Sequence, residues 1–198
     1  MPDRIKIISS PSTGIYKEKG SKFLSFAIPV QSTDEIKTIL DNYRKDYYDA
    51  RHVCYAYMLG EERTEFRAHD DGEPSGTAGR PILGQINSFE LTDILIIVVR
   101  YFGGILLGTG GLVTAYKEAA ADAINQAEII EKTITSPLSI HFSYELMNEV
   151  SRLIKEFDLE ISYQKFETAC NMTFSIPKEK FEMIKNRFEH IYGVNIRE

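Results

Sequence analysis

The chain has 198 residues, only two cysteines (Cys54 and Cys170) and no tryptophan. Two thiols this far apart, each among apolar or aromatic neighbours, make neither a disulfide framework nor a zinc site. Buried, reduced cysteine is the expected state. Long apolar stretches are missing too. The longest, Ile94 to Val99, is strand-sized, well short of the roughly 18 residues that a membrane span needs. The start, Met1-Pro2-Asp3-Arg4-Ile5-Lys6, is charged and lacks a following apolar segment, so no secretory signal is read there. Together these absences set a cytoplasmic expectation. A basic excess is also lacking, because the net charge is −6 and the pI near 5.4. Dividing the chain at Pro137 leaves 15 basic against 19 acidic residues before it and 8 against 10 after. Neither part suits indiscriminate nucleic-acid binding, and only a local basic patch would serve.

Glycine, by contrast, is concentrated in two loops. One runs His69-Asp70-Asp71-Gly72-Glu73-Pro74-Ser75-Gly76-Thr77-Ala78-Gly79-Arg80-Pro81, the other Arg100-Tyr101-Phe102-Gly103-Gly104-Ile105-Leu106-Leu107-Gly108-Thr109-Gly110-Gly111. Glycine is costly unless the backbone needs positive φ or something approaches it closely. Each loop precedes an expected helix, whose first N–H groups and positive dipole end suit an anion.

The periodicity reads as α+β. Two strands lie within Ile15 to Val30, around a Gly20-Ser21 turn. Ser32-Thr33-Asp34-Glu35 is a capping box, and Ile36, Ile39, Leu40 and Tyr43 then share a helical face. Val53 to Leu59 and Thr64 to Ala68 read as a hairpin. The aliphatic run Ile94 to Val99 predicts a central, covered strand. A long helix is expected from about Thr109, as its N-cap, to Ala127, with Leu112, Ala115, Tyr116, Ala119 and Ala123 buried. From Pro137 the order β-α-β-β-α-β returns the split ferredoxin-like pattern. Two domains are expected, 1–136 and 137–198.

Four segments carry a family resemblance. They are Gly20-Ser21-Lys22-Phe23, Ala50-Arg51-His52-Val53-Cys54-Tyr55-Ala56-Tyr57, His69 to Gly79, and Val99-Arg100-Tyr101-Phe102-Gly103-Gly104 continuing to Gly111. In these the chain resembles the IMPACT/YigZ family over nearly its whole length. The resemblance implies an N-terminal domain like the second domain of ribosomal protein five of the small subunit, with a left-handed βαβ unit that departs from the usual crossover hand. It also implies a C-terminal ferredoxin-like domain similar to the last domain of elongation factor G. Fold analogy alone is a weak warrant for function.

The candidate anion or nucleic-acid site comprises Lys22, Arg51, Arg80 and Arg100 with Ser75, Gly76 and Thr77 of the first loop and Gly103, Gly104, Gly108, Thr109, Gly110 and Gly111 of the second. Arginine beside free N–H groups is the chemistry of phosphate or carboxylate capture. The competing reading for Arg100 is an internal ion pair with Asp71 or Glu73. A non-enzymatic, translation-associated regulator is the expected function, with RNA, the ribosome or a translation-related protein as partner. No membrane partner, cofactor or metal is expected. The alternative is a small-molecule hydrolase or other enzyme using His69, Asp71 and Glu73 beside an oxyanion site, although Asp-Gly clusters are also ordinary turn material. His52 and Cys54 share a strand face, but a nucleophilic thiol needs access and activation, and Cys54 sits among core residues. A phosphate loop ending Gly-Lys-Ser/Thr is absent, against a small-molecule kinase. The segment Thr168 to Ile176 lacks the aromatic, glycine-containing signature of an RNA-stacking sheet.

Overall fold

A computed structural model describes residues 4–197. They fall into two compact units, Ile5–Lys132 and a second running from Thr133 onward together with Arg4. In chain order the elements up to Thr133 are β1 (Arg4–Ile8), β2 (Ser12–Glu18), β3 (Ser21–Pro29), α1 (Thr33–Asp46), β4 (His52–Leu59), β5 (Glu65–His69), α2 (Gly79–Ser88), β6 (Ile94–Tyr101), α3 (Gly108–Asn125) and β7 (Ile129–Thr133). The main sheet has the order β2-β3-β6-β4-β5, with antiparallel pairing throughout.

Its centre is the aliphatic run. Along β6, Ile94, Ile96 and Val98 pack on one face with α2 and α3, while Leu95, Ile97 and Val99 pack on the other with Ile36 and Leu40 of α1. A strand covered on both faces has no use for polar alternation, which is why the sequence shows none. Ser32 caps α1 through the Glu35 N–H, and the Glu35 carboxylate returns to the Gln31 N–H at 2.8 Å. On α3 the small side chains of Ala115, Ala119, Ala120 and Ala123 are fully buried around Tyr116. They let the helix lie close to the sheet. Strands β1 and β7 form a separate two-stranded sheet that the sequence pattern did not announce.

The second unit carries β8 (Thr135–Phe142), α4 (Met147–Phe157), β9 (Glu160–Phe166), β10 (Cys170–Pro177), α5 (Phe181–Glu189) and β11 (Asn195–Arg197). Its antiparallel sheet is ordered β11-β8-β10-β9, in the expected β-α-β-β-α-β succession. Alternate residues of β8 (Leu138, Ile140, Phe142) and β10 (Cys170, Met172, Phe174, Ile176) meet Val150 and Leu153 of α4 and Ile184 and Phe188 of α5. The opposite, polar positions pair across the strands, Ser139 with Thr173 and His141 with Asn171, both at 2.9 Å. The whole chain is therefore α+β.

Candidate functional site

The first glycine loop is closed by its own aspartate. Asp70 accepts from the N–H groups of Gly76 (2.8 Å), Ala78 (3.0 Å) and Gly79 (2.8 Å) at the start of α2. Burial pushes the Asp70 carboxyl up, but the hydrogen bonds from Gly76, Gly79 and Ala78 outweigh it and hold it below its ordinary value. Thr77 turns inward, with both its N–H and its hydroxyl on the Pro74 carbonyl. Gly79 packs so tightly on β5 that a Cβ there would stand 2.4 Å from the His69 nitrogen. The N–H groups of Gly76 and Thr77, expected to seat an anion, are thus taken up within the loop itself, by Asp70 and by the Pro74 carbonyl. The sequence reading gave Asp70 no such role.

The loop is fastened to β4 as well. His52 Nδ1–H donates to the Asp71 carbonyl at 2.7 Å, the Val53 N–H to the Asp71 carboxylate at 2.7 Å, and the Cys54 thiol to the Asp70 carbonyl at 2.9 Å. These bonds fasten the loop that carries Glu73. Its Oε1 accepts from Arg100 Nη1 at 2.5 Å and from the Tyr116 hydroxyl at 2.8 Å, with His52 Nε2 at 3.8 Å. Glu73 and Arg100 are both buried. Of the two readings of Arg100, the internal ion pair with Glu73 is the one the structure contains. Pairing leaves part of the guanidinium unspent, because Arg100 Nε is buried without a hydrogen-bond partner.

The second loop is held by Gly103. A Cβ at that position would lie 1.9 Å from the Gly20 carbonyl carbon, so only glycine lets the loop pass the β2–β3 turn. The Gly103 N–H is spent on Ser21 Oγ at 3.2 Å. Beyond it, α3 begins at Gly108, preceded by Leu107, which offers no side-chain cap. Thr109 is therefore not the N-cap and lies in the first turn. The N–H groups of Gly108, Thr109 and Gly110 precede the first intrahelical bond and have no acceptor among the described residues. Gly111 lies past them, where intrahelical bonding starts. Gly104 and Gly108 adopt positive φ, +87° and +71°.

These parts border one cleft of about 360 Å³, lined by Arg51, His52, Glu73, Arg100, Phe102, Leu106, Leu107, Thr109 and their neighbours. Arg51 is exposed, and no carboxylate pairs with it among the described residues. Its guanidinium stands 5.9 Å from the Phe102 ring centroid, with that of Arg100 at 5.7 Å. The structure thus gathers Arg51, Arg100, Gly108 and Thr109 around the cleft. Lys22 points outward from β3, opposite Tyr101, and Arg80 is exposed on α2 beside Gly76. Neither lines the cleft.

The proposed enzyme trio does not assemble. The His69 ring stacks on Tyr55 at 5.1 Å, and its Nδ1 is buried without a partner. Asp71 is engaged by Val53 and by Arg44 at 3.9 Å, and Glu73 by Arg100 and Tyr116. Each of the three side chains thus has a different set of neighbours. Cys54 is no better placed as a nucleophile. Burial pushes its thiol well above the ordinary range, only partly offset by the Tyr116 hydrogen bond. What the sequence reading missed was the joint between Glu73, Tyr116 and His52. A lone tyrosine in the alanine stripe of α3 was the available signal.

Comparison with known proteins matches the same region. The Impact N-terminal domain model covers residues 19–124, which include both glycine loops. The chain is 31% identical over 176 residues to the IMPACT family member YigZ of Escherichia coli (strain K12), spanning 88% of this chain and 86% of that protein. It is 33% identical over 154 residues to the IMPACT family member YvyE of Bacillus subtilis (strain 168), spanning 75% and 71%. A crystal structure described as that of a hypothetical protein superposes with a TM-score of 0.72 at 28% identity, over 99% of this chain and 97% of that one. The chain belongs to the IMPACT family.

Proposed function

We propose that this chain is a non-enzymatic, translation-associated regulator that contacts RNA on the ribosome through the cleft at the start of α3. The carrying observation is the pairing of the unspent N–H groups of Gly108 and Thr109 with the unpaired guanidinium of Arg51 on one cleft. A helix N-terminus beside an arginine favours a phosphate oxygen electrostatically and by hydrogen bonding. Binding rather than turnover fits the chemistry, because the thiol is kept protonated and the buried carboxylate is committed to Arg100 and Tyr116. The resemblance of both domains to translation folds supplies the setting, and the site supplies the contact.

Ribosome co-sedimentation from lysate, at low and at moderate salt, tests this reading. Wild type is expected to pellet with ribosomes at low salt and to be released as salt rises, since phosphate contacts exchange with counterions. Arg51→Ala should be released at lower salt than wild type. Co-sedimentation unaffected by both salt and Arg51→Ala, or none at any salt, would remove the reading.

A further inference from the structure

We infer that the cleft holds one unstacked nucleotide of a single RNA strand, with its phosphodiester at the α3 N-terminus and its base against Phe102. The inference rests on the RNA-binding reading above and narrows it. Charge is the first argument. Glu73 neutralises Arg100, so the free positive charge of the cleft is Arg51 plus the partial charge of the helix end, roughly half a unit. That sum, roughly one and a half units, is enough to neutralise a singly charged phosphodiester.

The second argument is an unspent donor. Arg100 is 5% exposed, lines the cleft, and keeps a buried Nε–H that no protein atom accepts. A buried donor without a partner carries a penalty that an incoming oxygen would relieve. It is independent of the open N–H groups of Gly108 and Thr109, and Arg100 lines the same cleft.

The third argument is the wall. Phe102 is 41% exposed on the rim, with two guanidinium groups within 6 Å of its centroid, and Leu106 beside it is 83% exposed. Apolar surface of this kind is out of place in a site meant for a bare anion. It fits a ligand with a phosphate at one end and a planar ring at the other, because every base offers a π-face to an aromatic ring or a guanidinium. The volume, about 360 Å³, is at the small end of ligand clefts. Bases stacked inside a duplex cannot reach such a wall, so the strand must be single.

The experiment measures affinity, at one low salt concentration, for three RNA probes. They are a six-residue oligouridylate, an abasic strand of the same length and a twelve-pair duplex. The full chain is compared with Phe102→Leu, which keeps apolar bulk without a π-face, with Phe102→Tyr, which keeps the ring, and with Arg51→Ala. Oligouridylate is expected to bind about tenfold more tightly than the abasic strand. Phe102→Leu should erase that difference, Phe102→Tyr should keep it, and Arg51→Ala should weaken all probes together. If the abasic strand and the duplex bind as well as oligouridylate, with only Arg51→Ala weakening them, the nucleotide inference is overturned and the phosphate contact stands. If no probe binds, both fall.

Discussion

Glu73→Leu is expected to destabilise the N-terminal unit by about 3–5 kcal/mol, because it leaves a buried guanidinium without its counter-charge. That is a large share of the roughly 5–15 kcal/mol that holds a typical domain folded. Arg100 is packed in place and has little room to find another partner. It is 5% exposed, and Phe23 and Phe102 lie 5.5 and 5.7 Å from its guanidinium carbon. The Tyr116 hydroxyl loses its acceptor in the same step. Adding Arg100→Met removes the orphaned cation, and the double variant should be more stable than Glu73→Leu alone. Urea unfolding of wild type, both single variants and the double variant gives the coupling directly. A loss below about 1 kcal/mol for Glu73→Leu would place the pair in the class of solvent-exposed bridges and contradict its burial.

The second large effect is at Asp70. One carboxylate satisfies three backbone donors at the start of α2, two of them in buried residues, Ala78 and Gly79. Asp70→Ala strands those donors and is expected to cost about 2–4 kcal/mol. The pH dependence has a definite sign. The folded-state pKa lies below the ordinary 3.8, so the carboxylate's contribution is fully present above that value and is lost as pH falls through the lower, folded one. The stability gap between wild type and Asp70→Asn should be constant near neutrality and narrow as pH drops below 3.8. Unfolding curves at several pH values read this gap. A gap that widens with acidification would show that the N–H groups do not hold the charged form.

How far the sequence led can be judged from single elements. The run Ile94 to Val99 gave β6 its central place, because only a doubly covered strand tolerates six aliphatic residues in succession. Ser32 and Glu35 marked the start of α1 through a local bond pattern that needs no tertiary information. The glycine loops were legible as special but not as to why. Asp70 fills one of them, and the other is pinned by the contact of Gly103 with Gly20 and Ser21. Residues 82 positions apart cannot be paired by inspection. The start of α3 was misread because Thr109 is a favoured cap type, whereas Gly108 with positive φ turns the chain into the helix first. The same long-range blindness left the Arg100–Glu73 ion pair as one of two readings and hid its Tyr116 partner. Arginine, glutamate and tyrosine from β6, the first loop and α3 come together only after the sheet is built.

The measurement that tests the central claim most directly is an NMR titration of the full chain with oligouridylate, following the backbone amides. The account predicts that the amide signals of Gly108 and Thr109 move most, since their N–H groups would take up the phosphate oxygens, with Phe102 and Arg51 next. Those signals staying fixed while residues elsewhere shift would contradict the assignment of the cleft.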